Sequence, residues 1–283
     1  MAAGLSLHVG LNKVDPAKYG GWDGELVACE NDARDMAGLA REAGFDETTL
    51  LTTDGTVENV TAELKKAAKR LKSGDILLFS YSGHGGQVPN TVGSDDEPDE
   101  FDETLVLYDR EFLDDELYRE FSRFEEGVRI LALLDSCHSG SGIEVREILS
   151  PEAMQKQFQT LDPDQIENTS RLMPVVKQYE IYQRDKEFFE EIQRGLGPKK
   201  TRESEVSALL ISGCQDNQLS SDGPVNGKFT GTLLEVWDGG TFRGGYRAFH
   251  RDILRSMPAT QSPNFYVTGQ PGDRFLEQRP FTV

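Results

Sequence analysis

Asp75-Ile-Leu-Leu-Phe-Ser-Tyr-Ser-Gly-His-Gly-Gly86 is the stretch that decides the fold. Its nearly continuous apolar run lacks polar alternation, which marks a strand buried on both faces of a parallel sheet. Val128-Arg-Ile-Leu-Ala-Leu-Leu-Asp135 and Val206-Ser-Ala-Leu-Leu-Ile-Ser-Gly213 have the same character. Alternation over residues 5–11 predicts an opening strand, and residues 48–52 predict a short one. Helical spacing of Ala33, Met36, Leu39 and Ala40 predicts a helix over 31–43. Further helices are expected over 56–71, with Thr56 as cap, and over 230–236 and 246–257. The chain therefore reads as α/β, with a mostly parallel central sheet flanked by helices.

The sequence has 283 residues, enough for one large domain, and is taken as a single domain over 1–283. Residues 146–202 are polar and charged, with a helix expected over 177–193, and read as an insertion between two halves of that domain. Forty-nine acids against 30 bases give a net charge of −19. A field of that sign repels nucleic acid and anionic membranes and favours basic partners. The longest apolar runs are too short to span a bilayer. The N-terminus lacks the basic start and apolar stretch of a signal peptide. Three scattered cysteines make no disulfide framework, so a reduced, cytoplasmic setting is expected.

Open α/β sheets place their sites beyond the carboxyl ends of the strands. His84 follows one buried strand and Cys137 another, 53 positions later. A thiol and an imidazole delivered by two strand ends make a nucleophile with its base. Glycines flank His84 and let a substrate backbone come close. A buried packing role is the ordinary reading of a lone cysteine after a strand. Here the small and polar flanks Asp135-Ser-Cys-His-Ser-Gly-Ser-Gly142 suit an exposed turn instead. A tyrosine-phosphatase loop would need arginine at position 143, which is Ile143. Asp135, two residues before the nucleophile, falls on the same side of an extended strand end.

Tyr81-Ser-Gly-His-Gly-Gly86 and Leu133-Leu-Asp-Ser-Cys-His-Ser-Gly-Ser141 resemble the motifs of metacaspases and their bacterial relatives in the caspase-like clan. Ala28-Cys-Glu-Asn-Asp-Ala33 and Ile211-Ser-Gly-Cys-Gln-Asp-Asn-Gln-Leu-Ser-Ser-Asp222 are similar to two further family elements, in the family's order. The resemblance implies a caspase-like three-layer sandwich and a cysteine endopeptidase. In it Cys137 would attack the peptide carbonyl, His84 would handle the proton, and the N–H groups of Gly85 and Cys137 would hold the oxyanion. Asp32 is expected beside Asp135 in a pocket lined by Ser82 and Cys29. Two carboxylates there need a cation, so the pocket should take arginine or lysine before the scissile bond.

The run Asp95-Asp-Glu-Pro-Asp-Glu-Phe-Asp-Glu103 holds seven acids in nine positions but lacks the spacing of an EF-hand. The resemblance nonetheless points to calcium on Asp102, Asp114, Asp115 and Glu144, the last being one methylene longer than the Asp of the relatives. No cofactor is needed for the chemistry itself. Arg194, Lys200 and Arg202 match the implied specificity and are candidate processing sites, for the enzyme itself or for an upstream protease. A monomer is expected. The alternative is a catalytically silent caspase-fold binding or regulatory module, and a third reading is a thiol hydrolase acting on small esters or amides.

Overall fold

A computed structural model describes residues 2–90, 101–137, 170–196, 207–214, 220–269 and 272–283. In chain order the elements are β1 (Gly4–Gly10), α1 (Cys29–Glu42), β2 (Asp46–Leu51), α2 (Val57–Arg70), β3 (Ile76–Ser82), β4 (Gly85–Pro89), β5 (Phe101–Val106) and β6 (Glu111–Leu113). They continue with α3 (Asp114–Phe121), β7 (Arg129–Asp135), α4 (Val175–Leu196), β8 (Ala208–Ser212), α5 (Lys228–Trp237), α6 (Tyr246–Ser256), β9 (Asn264–Thr268) and α7 (Asp273–Glu277). Thr56 does cap α2: its side chain accepts a hydrogen bond from the Asn59 N–H at 3.2 Å.

The main sheet has six strands in the order β2-β1-β3-β7-β8-β9, parallel except for the antiparallel edge pair β8–β9. Every residue of β1 and β3 is buried. Alternate side chains of the strands feed two separate cores, which is why the sequence shows no polar alternation. On one face Leu7, Val9, Phe79, Tyr81 and Ala132 pack against Val60 and Leu64 of α2 and Leu117 and Phe121 of α3. On the other, Ile76, Leu78, Leu131 and Ile211 pack against Met36 and Leu39 of α1, Leu233 of α5 and Phe249 of α6. Helices cover both faces, giving the expected three layers.

Register aligns the strand ends. Gly10 pairs with Ser82, and Ser82 with Asp135, so β1, β3 and β7 stop on one line. The chain can close tightly there because Gly10 has no side chain: a Cβ would lie 2.2 Å from the Cys29 carbonyl oxygen at the start of α1. That close approach brings the first turn of α1, with Asp32, to the same rim.

The sequence pattern did not reveal a second, antiparallel sheet, β4-β5-β6. It begins directly after His84 and is covered by α4: Val88, Val106 and Leu113 share a core with Met173, Ile181, Tyr182 and Phe189. Helix α4 includes the span expected over 177–193 but runs longer at both ends, with a kink at Asp185. No described helix is long and apolar enough to cross a membrane.

Buried ionisable groups outside the rim include His8 and Glu111. His8 donates to or accepts from the Ser80 hydroxyl at 2.7 Å, and burial lowers its pKa to about 3, so it is a neutral core residue. Glu111 accepts a hydrogen bond from the Thr104 hydroxyl at 3.0 Å, and burial pushes its pKa up to about 8, against the lowering effect of that hydroxyl. Between the unfolded value of 4.5 and about 8, the folded chain holds a proton that the unfolded chain has lost. Stability from this group is therefore lost as pH rises across that window. Glu111→Gln should remove the slope. Urea titrations should show the variant gaining on wild type from pH 5 to pH 8.5, by at most about 1.4 kcal/mol per pH unit crossed. Parallel pH profiles for the two proteins would contradict the assignment.

Candidate active site

The rim carries a thiol, an imidazole and three carboxylates, and one arginine joins them. Cys137 follows β7 by two residues and is buried. Its Sγ accepts a hydrogen bond from the Ser220 N–H at 2.7 Å and lies 3.9 Å from the Ser170 hydroxyl. Burial alone would raise the thiol pKa. Hydrogen bonds with the Cys214 side chain, the Ser220 N–H and Ser170, together with the Arg171 charge, outweigh it and hold the thiol below its ordinary value.

His84 lies between β3 and β4, so the switch from one sheet to the other fixes its position. Its Nε2 is 3.0 Å from the Gly24 carbonyl, which can only accept, so Nε2 carries the proton. Nδ1 is then the basic nitrogen, and it is buried without a hydrogen-bond partner. Burial lowers the imidazole pKa to about 4, opposed by the Gly24 carbonyl and more weakly by the Leu172 backbone. At neutral pH it is an uncharged base. Trp22 packs on the ring with centroids 4.9 Å apart. Gly24 has φ +57, and a Cβ there would lie 2.8 Å from Trp22 and 3.1 Å from His84. Neither the Gly24 carbonyl nor Trp22 is visible as a site residue in the sequence. The loop holding them is Gly-rich and lies 60 residues from His84.

The carboxylate pocket expected from Asp32 and Asp135 contains a third acid, Asp222, and it holds the guanidinium of Arg171. That side chain is wholly buried. One terminal nitrogen, Nη2, donates to Asp32 Oδ2 at 2.7 Å and Asp222 Oδ1 at 2.9 Å. The other, Nη1, donates to the Ser82 hydroxyl at 2.8 Å and the Asp135 carbonyl at 3.0 Å, and pairs with Asp135 Oδ2 at 3.0 Å. The carboxylates are themselves anchored. Asp32 accepts from the Gly227 N–H at 3.0 Å, Asp135 from the Thr230 N–H and hydroxyl at 3.0 and 2.7 Å, and Asp222 from the Val27 N–H at 2.7 Å. Burial raises the Asp32 pKa, Arg171 opposes it, and the Asp135 charge adds to it. The same acids hold the Arg171 pKa well above its ordinary value despite burial.

Gly227 closes the pocket. Its φ of −58 suits any residue, but a Cβ there would lie 2.4 to 2.5 Å from three guanidinium atoms. Cys29 also sits at the pocket, where burial pushes its thiol up to about 12, so it is inert packing. Cys214 completes the set: all three cysteines are buried, and none forms a disulfide.

The Arg171 backbone lies across the cleft. Its carbonyl oxygen accepts hydrogen bonds from Gly85 N–H at 2.9 Å and Cys137 N–H at 3.3 Å, the two donors expected to face an oxyanion. Its own N–H donates to the Ser220 carbonyl at 3.0 Å, and Met173 N–H donates to the Gly85 carbonyl at 2.8 Å. Gln261 braces the Ser220 side, accepting from Ser221 N–H and donating to the Ser220 hydroxyl at 2.9 Å.

Glu144, Lys200 and Arg202 lie outside the described residues, and Arg194 is in the last turn of α4. Asp102 accepts from the amides of Asn90 at 2.8 Å and Gln193 at 2.9 Å. Asp114 and Asp115 open α3, where acids suit the helix N-terminus. Among the described residues, no three His, Cys, Asp or Glu side chains form a ligand set.

The caspase-domain family model (Peptidase_C14) matches residues 14–273. Metacaspase-1 of Mycosarcoma maydis is 31% identical over 251 residues, covering 80% of this chain and 59% of that protein. Metacaspase-1A of Aspergillus fumigatus is 31% identical over 260 residues, covering 81% and 58%. The chain thus spans under two thirds of these curated relatives. Protein GSU0716 from Geobacter sulfurreducens superimposes with a TM-score of 0.85 at 48% identity, over 99% of both chains. Caspase-1 from Spodoptera frugiperda shares the fold, with a TM-score of 0.55 at 13% identity over 95% of this chain and 86% of that one.

Removing the guanidinium would leave three buried carboxylates with no cation, raising their pKa values. The folded chain would then take up protons on acidification, relieving the penalty at low pH. Arg171→Met is expected to cost about 3–5 kcal/mol at pH 8 and less at pH 5.5, measured by denaturant unfolding. An equal loss at both pH values would contradict this electrostatic role.

Proposed function

The chain belongs to the caspase-domain family, and from that membership we propose a cysteine endopeptidase that cuts proteins after arginine, and less readily after lysine. One observation carries the specificity: a guanidinium lies among Asp32, Asp135 and Asp222 while its own carbonyl faces the Gly85 and Cys137 N–H groups. A substrate arginine would make the same contacts. Its two terminal nitrogens reach different acids at once, whereas a lysine ammonium is a single point and serves fewer of them. An aspartate would meet three like charges.

Cys137 attacks the carbonyl carbon, and His84 Nδ1 takes the thiol proton while Nε2–H stays on the Gly24 carbonyl. Negative charge then develops on the oxygen held by the two N–H groups. The imidazolium returns its proton to the leaving amine, and water releases the acyl group from sulfur. Three cysteines outside any disulfide favour work in a reducing compartment such as the cytoplasm. A catalytically silent module remains the competing reading, favoured by the filled cleft.

Fluorogenic peptides ending in arginine, lysine or aspartate, each offered with calcium and with chelator, separate these readings. Release should follow arginine most, lysine less and aspartate not at all. Both Cys137→Ala and His84→Ala should lower kcat/KM by about 10²-fold or more. Full activity in either variant, or preference for aspartate, would overturn the reading; the chelator arm decides the place of calcium.

Gly227→Ala tests the pocket separately. Its backbone tolerates alanine, but the new methyl meets the guanidinium. Cleavage after arginine should fall by about tenfold or more, a cost typical of overpacking, with the fold kept. Unchanged arginine kinetics would remove Gly227 from the pocket.

A further inference from the structure

We propose that Cys137 and Cys214 are a modification site: a peroxide joins them in a reversible disulfide, which switches the peptidase off. The switch rests on the reading of Cys137 as nucleophile, whereas the bond rests on where the fold puts two sulfurs. Strands β7 and β8 are parallel neighbours, paired from Ile130 with Ala208 to Leu134 with Ser212. Each strand is followed, two residues past its end, by a cysteine: Asp135 by Cys137 and Ser212 by Cys214. Gly213 N–H donates to the Leu134 carbonyl at 2.7 Å, which carries the pairing past the end of β8. The Cys214 thiol then donates to the Ser136 carbonyl at 3.4 Å, and it also hydrogen-bonds the Cys137 sulfur.

Neighbouring strands lie about 4.8 Å apart, and a disulfide bridges Cα atoms about 4.4–6.8 Å apart. Two side chains already in contact across such a gap can join by turning about their Cα–Cβ bonds. The backbone around Cys214 is held meanwhile. Its carbonyl accepts from the Ser212 hydroxyl at 2.9 Å, and the Gly213 carbonyl accepts from the Gln261 amide at 3.0 Å. Peptide cleavage leaves the Cys214 thiol unused. The two sulfurs differ as an oxidisable pair requires. Cys137, held below its ordinary pKa, supplies the thiolate that meets the oxidant, and Cys214 is the resolving thiol within reach. Cys29 is no substitute: it opens α1 beside Ser82, and burial pushes its thiol up to about 12.

The oxidant is a hydroperoxide, and the steps balance with it. The Cys137 thiolate attacks one peroxide oxygen, the O–O bond breaks, and water or an alcohol leaves with the thiol proton. Cys137 is then a sulfenic acid. The Cys214 sulfur attacks that sulfur, the S–O bond breaks, and hydroxide leaves as water with the Cys214 proton. The pair has lost two electrons and the peroxide has gained two. A dithiol reverses the change by two exchange steps, becoming a cyclic disulfide itself. Any state of the cleft that admits a peptide carbonyl to the sulfur also admits a peroxide, which is smaller. In the disulfide Cys137 has no thiolate with which to attack, yet it is kept from sulfinic acid, which a dithiol does not reverse.

Wild type and Cys214→Ser should be treated with hydrogen peroxide, alkylated in denaturant and mapped by mass spectrometry. Hydrolysis of a fluorogenic arginyl peptide is read before treatment, after it, and after dithiothreitol. Wild type should lose the mass of two hydrogens, with Cys137 joined to Cys214 and Cys29 alkylated. Its hydrolysis should be lost in step with the link and regained with dithiothreitol. Cys214→Ser should carry Cys137 on to sulfinic acid. Its hydrolysis, scored against its own untreated value, should stay lost after dithiothreitol. Active wild type in which peroxide gives sulfinic acid and no link, or joins Cys137 to Cys29, would overturn the proposal and leave the peptidase reading standing. Recovery of Cys214→Ser as complete as that of wild type would overturn the resolving role of Cys214. A linked pair in protein that hydrolyses no peptide before treatment would overturn the peptidase reading and the switch, leaving the bond. Neither link nor hydrolysis would overturn both.

Discussion

A guanidinium with no exposure to water, held by three carboxylates, is the constraint on which the rest of the cleft depends. Each of these charges would cost several kcal/mol to bury alone. Together they are tolerable only where hydrogen bonds satisfy the remaining oxygens, and here the backbone and hydroxyls of α1, α5 and the loops between them do so. Asp32 comes from the first turn of α1, Asp135 from the end of β7, and Asp222 from the segment before α5. One arginine therefore fixes the relative positions of three chain segments. Its backbone then lies across the two N–H groups beside Cys137.

The electrostatics of the two reactive groups follow from the same packing. Cys137 is buried yet has a lowered pKa because hydrogen bonds converge on its sulfur. His84 is uncharged at neutral pH because Trp22 and the surrounding chain exclude water from it. In the proposed mechanism the Gly24 carbonyl takes the orienting role that a third side chain fills in other nucleophile–base arrangements.

Much of the frame was legible because its signals are local. Strands β3, β7 and β8 announced themselves as short runs buried on both faces, β1 by alternation, and α1 and α2 by apolar spacing and the Thr56 cap. His84 and Cys137 stood out because small and polar flanks broke those runs at their ends. The sheet β4-β5-β6 was missed because Gly85-Gly-Gln-Val-Pro89 reads as a loop and its ladder partners lie well downstream. The segment Leu113-Asp-Asp-Glu116, which the resemblance offers as part of a calcium site, forms the N-cap and first turn of α3. Arg171 was silent: Ser170-Arg-Leu-Met-Pro174 has no periodicity, and its ionic partners are 139, 36 and 51 residues away. Asp222 sat inside a recognised motif, but nothing local assigned it a task.

A crystal structure of intact Cys137→Ala tests the arginine cage most directly, since this chain cannot alter its own cleft. Density for Arg171 should run into the pocket, with its terminal nitrogens in hydrogen-bond contact with Asp32 and Asp222 and its carbonyl on the Gly85 N–H. A water-filled pocket with residues 170–173 lying elsewhere would contradict the account.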